Sequence, residues 1–399
     1  MSRTRIVAAR YPSSDSPTLA GTPQSHPRGL YVICATVGPE RFSFFLLSAI
    51  LVLYLNEHLG VSSARAIEVY GYFLCGCYVT PLLGGRLCDG YMGYCRTALL
   101  GGALQFVGYL LFFADRAVIL YGALALMALG GGLFKAGTQA LLGSLYAPCD
   151  SRRDRSFSVF YAVVNVGALC APLVGGWTLE HAGWPWSFAV ASLGAMLSVS
   201  VLALGHKWVD RKPTEGTLGA TQPPSVPLRP AHRQLVLVLA ASMVFAVGVV
   251  QSHSSLLLWA RDRTERHIGS FEIPVAWFAA APAALVLLVA PVLTAIFSAL
   301  RRGRREPSTL RKIAIGLAVS GLAFVPLWLA STLTQGSLRV SPLWVLGCMT
   351  MLAIGELLVP ALAPSEITRI TPPERRGRML SYWFVAMAAG NVVGGWVHF

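Results

Sequence analysis

Apolar runs of about 20 residues, separated by short polar stretches, recur along nearly the whole chain after a polar start. Each run is long enough to cross the ~30 Å hydrocarbon layer of a bilayer as an α-helix. The pattern predicts eleven spans, at about 30–55, 67–87, 97–114, 117–146, 157–178, 186–205, 234–259, 275–300, 311–332, 342–363 and 379–398. Strands of a membrane barrel would show alternating segments of about ten residues instead, and the sequence has none. The expected fold class is an all-α integral membrane protein.

The pattern breaks once for long. Residues 206–233 are rich in Pro, Gly and charge and read as a linker between six spans and five. The expected organisation is a tail over 1–29, an N-terminal six-helix bundle over 30–205, the linker, and a C-terminal five-helix bundle over 234–399. Two pseudo-symmetric helical bundles joined this way resemble the major facilitator fold, in which substrate binds between the halves near the bilayer midplane. Against six plus six, the pattern leads one to expect eleven spans, with no twelfth helix in the second bundle. Prolines 81, 172, 282, 291 and 360 are candidates for helix kinks.

Composition agrees: 55% of the 399 residues are hydrophobic and 13% charged, with a mean hydropathy of +0.59. The net charge of +14 would suggest nucleic acid if it were spread evenly. With the N-terminus cytoplasmic, 24 of the 32 Lys and Arg fall in cytoplasmic segments and 6 in external ones, leaving Arg41 and Lys135 inside spans. That asymmetry is the positive-inside signature of a multi-pass protein of the inner or plasma membrane. The basic excess therefore points to anionic headgroups of the lipid bilayer, and no nucleic-acid partner is expected. Residues 1–28 lack the short apolar core of a signal peptide. The eight cysteines are scattered, and Cys75-Gly76-Cys77 lacks the second pair that a zinc site needs. No metal, cofactor or catalytic triad is expected, so the chain does not read as an enzyme.

Candidate chemistry lies in the charges set inside apolar runs. Glu40, Arg41, Lys135 and Glu356 are of this kind, and a charge at bilayer depth costs on the order of 3 kcal/mol even on lenient insertion scales. At ~1.5 Å of rise per residue, Glu40, Arg41, Tyr78, Asn165 and Glu356 fall in the middle band of the membrane, with Lys135 nearer the cytoplasm. Glu40 has two readings: it neutralises Arg41 or Lys135 in a buried pair, or it belongs to the functional centre. Lys135 and Glu356 come from opposite halves, which suits a ligand with one anionic and one cationic end. Tyr78 and Asn165 read equally as cavity groups or as ordinary interhelical hydrogen-bonding groups.

Longer motifs surround these residues. Glu40-Arg41-Phe42-Ser43-Phe44-Phe45, Gly130-Gly131-Gly132-Leu133-Phe134-Lys135, and Asp150-Ser151-Arg152-Arg153-Asp154 followed by Phe160-Tyr161 and Asn165-Val166-Gly167-Ala168 resemble signatures of the proton-dependent oligopeptide transporter (POT) family. Tyr78-Val79-Thr80-Pro81 through Asp89 is similar to that family's second span and aspartate loop. The second half matches more loosely, at Gln251, Ser254-Ser255, Trp259-Ala260, Gly355-Glu356 and Trp383-Phe384.

The resemblance implies proton-coupled symport of di- and tripeptides or peptide-like zwitterions by alternating access. Arg41 and Lys135 would receive the peptide carboxylate and Glu356 its amine, with Tyr78 and Asn165 lining the cavity. Glu40 and Glu356 would serve proton coupling, with the proton gradient as driving force and no cofactor. Asp89 and Arg96 would act in gating. Several positions depart from the family pattern: Val37 replaces the first Glu of the ExxER motif, Phe44 and Phe45 replace tyrosines, and Pro282 stands at an Asn position. Two alternatives stay open on the sequence. One is a drifted paralogue carrying another small organic solute with weak or no proton coupling; the other is a non-transporting remnant or partner protein.

Overall fold

The computed structural model describes residues 25–114, 116–146, 150, 152–209, 232–334, 339–371 and 375–397, without the side chains of 117, 154, 376 and 377. The expected tail up to residue 24, the linker from 210 to 231, Cys149 and Ser151 lie outside the described residues.

With no water in hydrocarbon, backbone N–H and C=O groups must bond within their own segment, and the apolar runs do so as helices. In the first half these are α1 (Arg28–Leu53), α2 (Ser63–Gly90), α3 (Tyr94–Leu111), α4 (Ala117–Ser144), α5 (Arg152–Ala182) and α6 (Trp184–Val209). The second half holds α7 (His232–Ser252), α8 (Ser255–Arg263), α9 (Ala281–Arg302), α10 (Thr309–Leu322), α11 (Val325–Leu333), α12 (Pro342–Leu358), α13 (Ala363–Ile370) and α14 (Arg376–Trp396).

Among the described residues, ten helical segments are long and apolar enough to span a membrane. The eleventh predicted span is the 21-residue α14, whose Ser, Tyr, Trp, Asn and Gly content keeps it out of that set. It packs between α2 and α7, so it does not need an apolar surface all round.

Three spans of the second half are broken, which the hydropathy pattern does not show. Between α7 and α8, Ser252 Oγ donates to the Val249 carbonyl at 2.7 Å and Ser254 Oγ to that of Val250 at 2.6 Å. Such hydroxyls satisfy carbonyls released by the break. Pro360 lies in the turn between α12 and α13, where its missing N–H costs nothing. Pro81, Pro172 and Pro291 sit inside helices, as does Pro39 in α1. Pro282 lies in the first turn of α9, a position that tolerates proline. The loop after α8 forms a small antiparallel hairpin, β1 (His267–Ile268) with β2 (Phe271–Glu272), closed by an Arg266–Glu272 ion pair.

Buried apolar residues fall into three clusters, and their placement defines the conformation. Away from the Arg28 end of the bundle, one core takes residues from both halves, including Leu46, Tyr70, Tyr109, Phe188, Val250, Leu257, Ala276 and Met349. At the Arg28 end the core divides. Leu30, Ile33, Phe134 and Leu202 belong to the first half; Val238, Phe245, Ile367 and Trp383 belong to the second. The halves are thus joined at one end and separate at the other.

Specific contacts hold the joined end. Arg261 Nη1 donates to Asn56 Oδ1 at 2.8 Å and to Glu57 Oε1 at 3.0 Å. Trp277 Nε1 donates to the Leu173 carbonyl at 3.0 Å, and Trp396 Nε1 to the Tyr72 hydroxyl at 3.0 Å. Closest of all is α2 against α14: a Cβ added at Gly71 would lie 2.6 Å from the Asn391 carbonyl oxygen and 2.7 Å from Gly395 Cα.

Gly71→Ala should therefore force α2 and α14 apart and increase the spin-label distance across the joined end. Glu57→Gln should shift the population less than about fivefold, because an exposed ion pair contributes about 0–1 kcal/mol. Unchanged distances in Gly71→Ala would remove this helix contact as the element that sets closure.

Candidate functional site

The predicted polar residues gather between the halves, at the depth where the shared core gives way to two. On α1, Glu40 is fully buried. Its carboxylate accepts from Arg41 Nε and Nη2, both at 2.6 Å. Of the two cations that could pair with Glu40, Arg41 is the one it meets. The Arg41 guanidinium also lies 5.0 Å from the centre of the Phe44 ring. A two-bonded, charge-assisted pair of this kind is among the stronger polar contacts available.

Lys135 on α4 is placed differently. It makes no ion pair with any described residue, and its ammonium faces the rings of Tyr78 at 5.4 Å and Phe384 at 5.8 Å. Aromatic faces attract cations, by about 2 kcal/mol or more when desolvated, but leave the charge free for an anion. Phe384 belongs to α14, so this aromatic box takes one wall from each half.

Glu356 lies in the last turn of α12, two residues before its end at Leu358. It too makes no ion pair or hydrogen bond with a described residue. The negative end of a helix dipole is a poor place for a carboxylate, so Glu356 is electrostatically unsatisfied. Tyr78 and Tyr161 lie within its electrostatic reach. Tyr78 therefore touches the Lys135 environment on one side and that of Glu356 on the other. Asn165 is buried on α5, and its Nδ2 donates to the Tyr161 carbonyl at 2.9 Å.

Asp89 and Arg96 stand apart from this cluster. Both are exposed, at the end of α2 and in the first turn of α3, and form no ion pair with each other. On the same side, Asp150 accepts from Arg152 Nη2 at 2.8 Å and from its backbone N–H at 2.9 Å, which holds its carboxyl at about 2. The side chain of Asp154 is outside the described residues.

Sequence reasoning missed three groups. Tyr161 precedes Asn165 by four residues, one helical turn, so the shared face was available as a signal. Phe384 carried no charge to single it out. Tyr109 is fully buried within reach of Glu40 and Arg41, and its hydroxyl has no hydrogen-bond partner. Val37 is 2% exposed and packs with Leu30 and Ile33 in the first-half core. The seven described cysteines are free, and no group of three metal-ligating side chains occurs among the described residues.

Comparison with known proteins places this geometry. Residues 33–397 match the family model of the Major Facilitator Superfamily. The peptide transporter YePEPT of Yersinia enterocolitica is 28% identical, over 89% of this chain and 84% of that protein. The dipeptide and tripeptide permease A of Chromobacterium violaceum is 26% identical, over 95% and 86%. A crystal structure of a peptide transporter POT in complex with alafosfalin superposes with a TM-score of 0.85 at 25% identity, covering 93% of this chain and 88% of that one. These relatives and neighbours are transporters, not enzymes.

Removing one partner of a buried pair costs about 3–5 kcal/mol, whereas Lys135 has no ion pair to lose. Glu40→Gln should lower the melting temperature in detergent well below that of Lys135→Ala, with partial recovery in Glu40→Gln/Arg41→Gln. Equal destabilisation by Lys135→Ala would show that Lys135 is structural.

Proposed function

The chain belongs to the major facilitator superfamily and, within it, to the proton-dependent oligopeptide transporter family, and on that premise we propose how its central residues bind and couple. The cargo is a di- or tripeptide or a peptide-like zwitterion, carried by alternating access between the halves 30–205 and 234–399. One observation carries the assignment of the ends: Lys135 and Glu356, opposite in charge and on opposite halves, both lack an ion-pair partner among the described residues. A ligand carboxylate takes Lys135, and a ligand ammonium takes Glu356. Tyr78 and Asn165 border the space between them. Binding compensates two costly charges at once, which favours bringing the halves together around the ligand.

Arg41 enters through Glu40. While Glu40 is ionised it occupies two of the guanidinium N–H groups. A proton on Glu40 releases Arg41 for the ligand carboxylate, so proton and ligand arrive together. Glu356, freed of the ligand amine, is the second proton site. With Val37 buried in the apolar core, coupling rests on these two carboxylates. Asp89 and Arg96, exposed at the separated end, are assigned to closing that end. That end faces the cytoplasm, with the N-terminus, in an inner or plasma membrane, and Arg261 with Glu57 closes the outer side.

In liposomes holding the purified protein, a labelled dipeptide should accumulate only with an inward proton gradient; equilibration without accumulation would remove the coupling role of Glu40. Glu356→Gln should weaken binding of peptides with a free N-terminus at least tenfold more than of N-acetylated ones, as loss of a charged hydrogen-bond partner predicts. Equal loss for both would take Glu356 out of amine recognition.

A further inference from the structure

The loop from α9 to α10 is the most basic short segment of the described chain. Residues 301–312 carry six cations (Arg301, Arg302, Arg304, Arg305, Arg311, Lys312) and one carboxylate, Glu306. Glu306 is fully committed: it accepts from Arg301 Nε at 2.7 Å and from Lys312 Nζ at 2.6 Å, and these bonds hold its carboxyl at about 2. Arg302, Arg304, Arg305 and Arg311 are exposed and make no ion pair with a described residue. The carboxylate thus ties the two ends of the loop together and leaves four guanidinium groups outward.

Two of these cations sit against local backbone preference. The end of α9 closes with Arg305 N–H on the Leu300 carbonyl at 2.8 Å and Arg304 N–H on that of Arg301 at 3.0 Å. This is the helix stop whose left-handed residue is ordinarily glycine. Here that residue is Arg304, with φ of 56°, the one non-glycine in that region among the described residues. The glycine stands one place too early, at 303. Arg311 lies in the first turn of α10, where the positive end of the helix dipole disfavours a cation. Both positions carry charge despite the backbone.

The surroundings identify the counter-charge. The span that ends in this loop, Val275–Arg302, faces outward: 11% of its most apolar stretch is buried inside the protein, against 28–67% for the other nine spans. The four arginines therefore stand at the foot of the most lipid-exposed helix, at headgroup level. Guanidinium groups match phosphate oxygens with paired hydrogen bonds. We infer that the α9–α10 loop is a binding site for anionic phospholipid headgroups, anchoring the outer edge of the second half. This holds whatever solute the transporter carries.

The test uses the full chain in phosphatidylcholine nanodiscs with and without phosphatidylglycerol, read by thermal unfolding and by native mass spectrometry of retained lipid. Phosphatidylglycerol should raise the unfolding midpoint and remain bound, less so at high salt. With about a fivefold affinity loss per cation removed near an anionic surface, Arg302→Gln/Arg305→Gln/Arg311→Gln should abolish the preference. Arg304→Gly separates the two effects: it should raise the midpoint in phosphatidylcholine alone while lowering phosphatidylglycerol retention about fivefold. Unchanged phosphatidylglycerol retention in the triple variant would overturn the inference. So would inorganic phosphate that reproduces the lipid's shift, since the site would then take a soluble anion.

Discussion

The energy of a charge placed in hydrocarbon governs this molecule. Four ionisable side chains stand at bilayer depth in the central cluster, and the fold treats them in two ways. Glu40 and Arg41 neutralise each other on one helix, within one half. Lys135 and Glu356, on opposite halves, have no counter-ion among the described residues. The first arrangement suits a fixed element and the second suits a vacancy for a ligand. A protein that paired all four internally would be more comfortable in the membrane and would have little reason to move.

The division of the core follows from the same need. At the joined end apolar residues of both halves share one cluster, and the polar cross-links there are few and peripheral. At the Arg28 end the buried apolar residues of each half cluster separately, and Tyr78 of the first half packs against the second-half cluster. The close approach of Gly71 to Gly395 makes the joined end a contact between backbones, which either fits or does not.

Much of this was legible in the sequence because hydrophobic length and charge placement are one-dimensional signals. The all-α membrane fold could be read directly, and charges inside apolar runs stood out by position. Glu40 could not be resolved between two partners, since that depends on which face of α1 meets α4. The breaks at Ser252–Ser254 and at Pro360 interrupt helices without interrupting hydropathy, so the pattern ran through them. Tyr161, Phe384 and Tyr109 escaped notice because neutral aromatics are common in membrane helices. Their importance comes only from what lies within a few ångströms of them.

Val37 shows how packing decides what chemistry a position can hold. Where the family pattern has a glutamate, this chain has an apolar side chain, 2% exposed, packed with Leu30 and Ile33. Close-packed interiors tolerate little change in shape or polarity. A glutamate at this position would bury a charge among those apolar neighbours. Packing thus closes position 37 to acid chemistry, and a carboxylate could enter this bundle at lower cost only where a polar neighbour already stands.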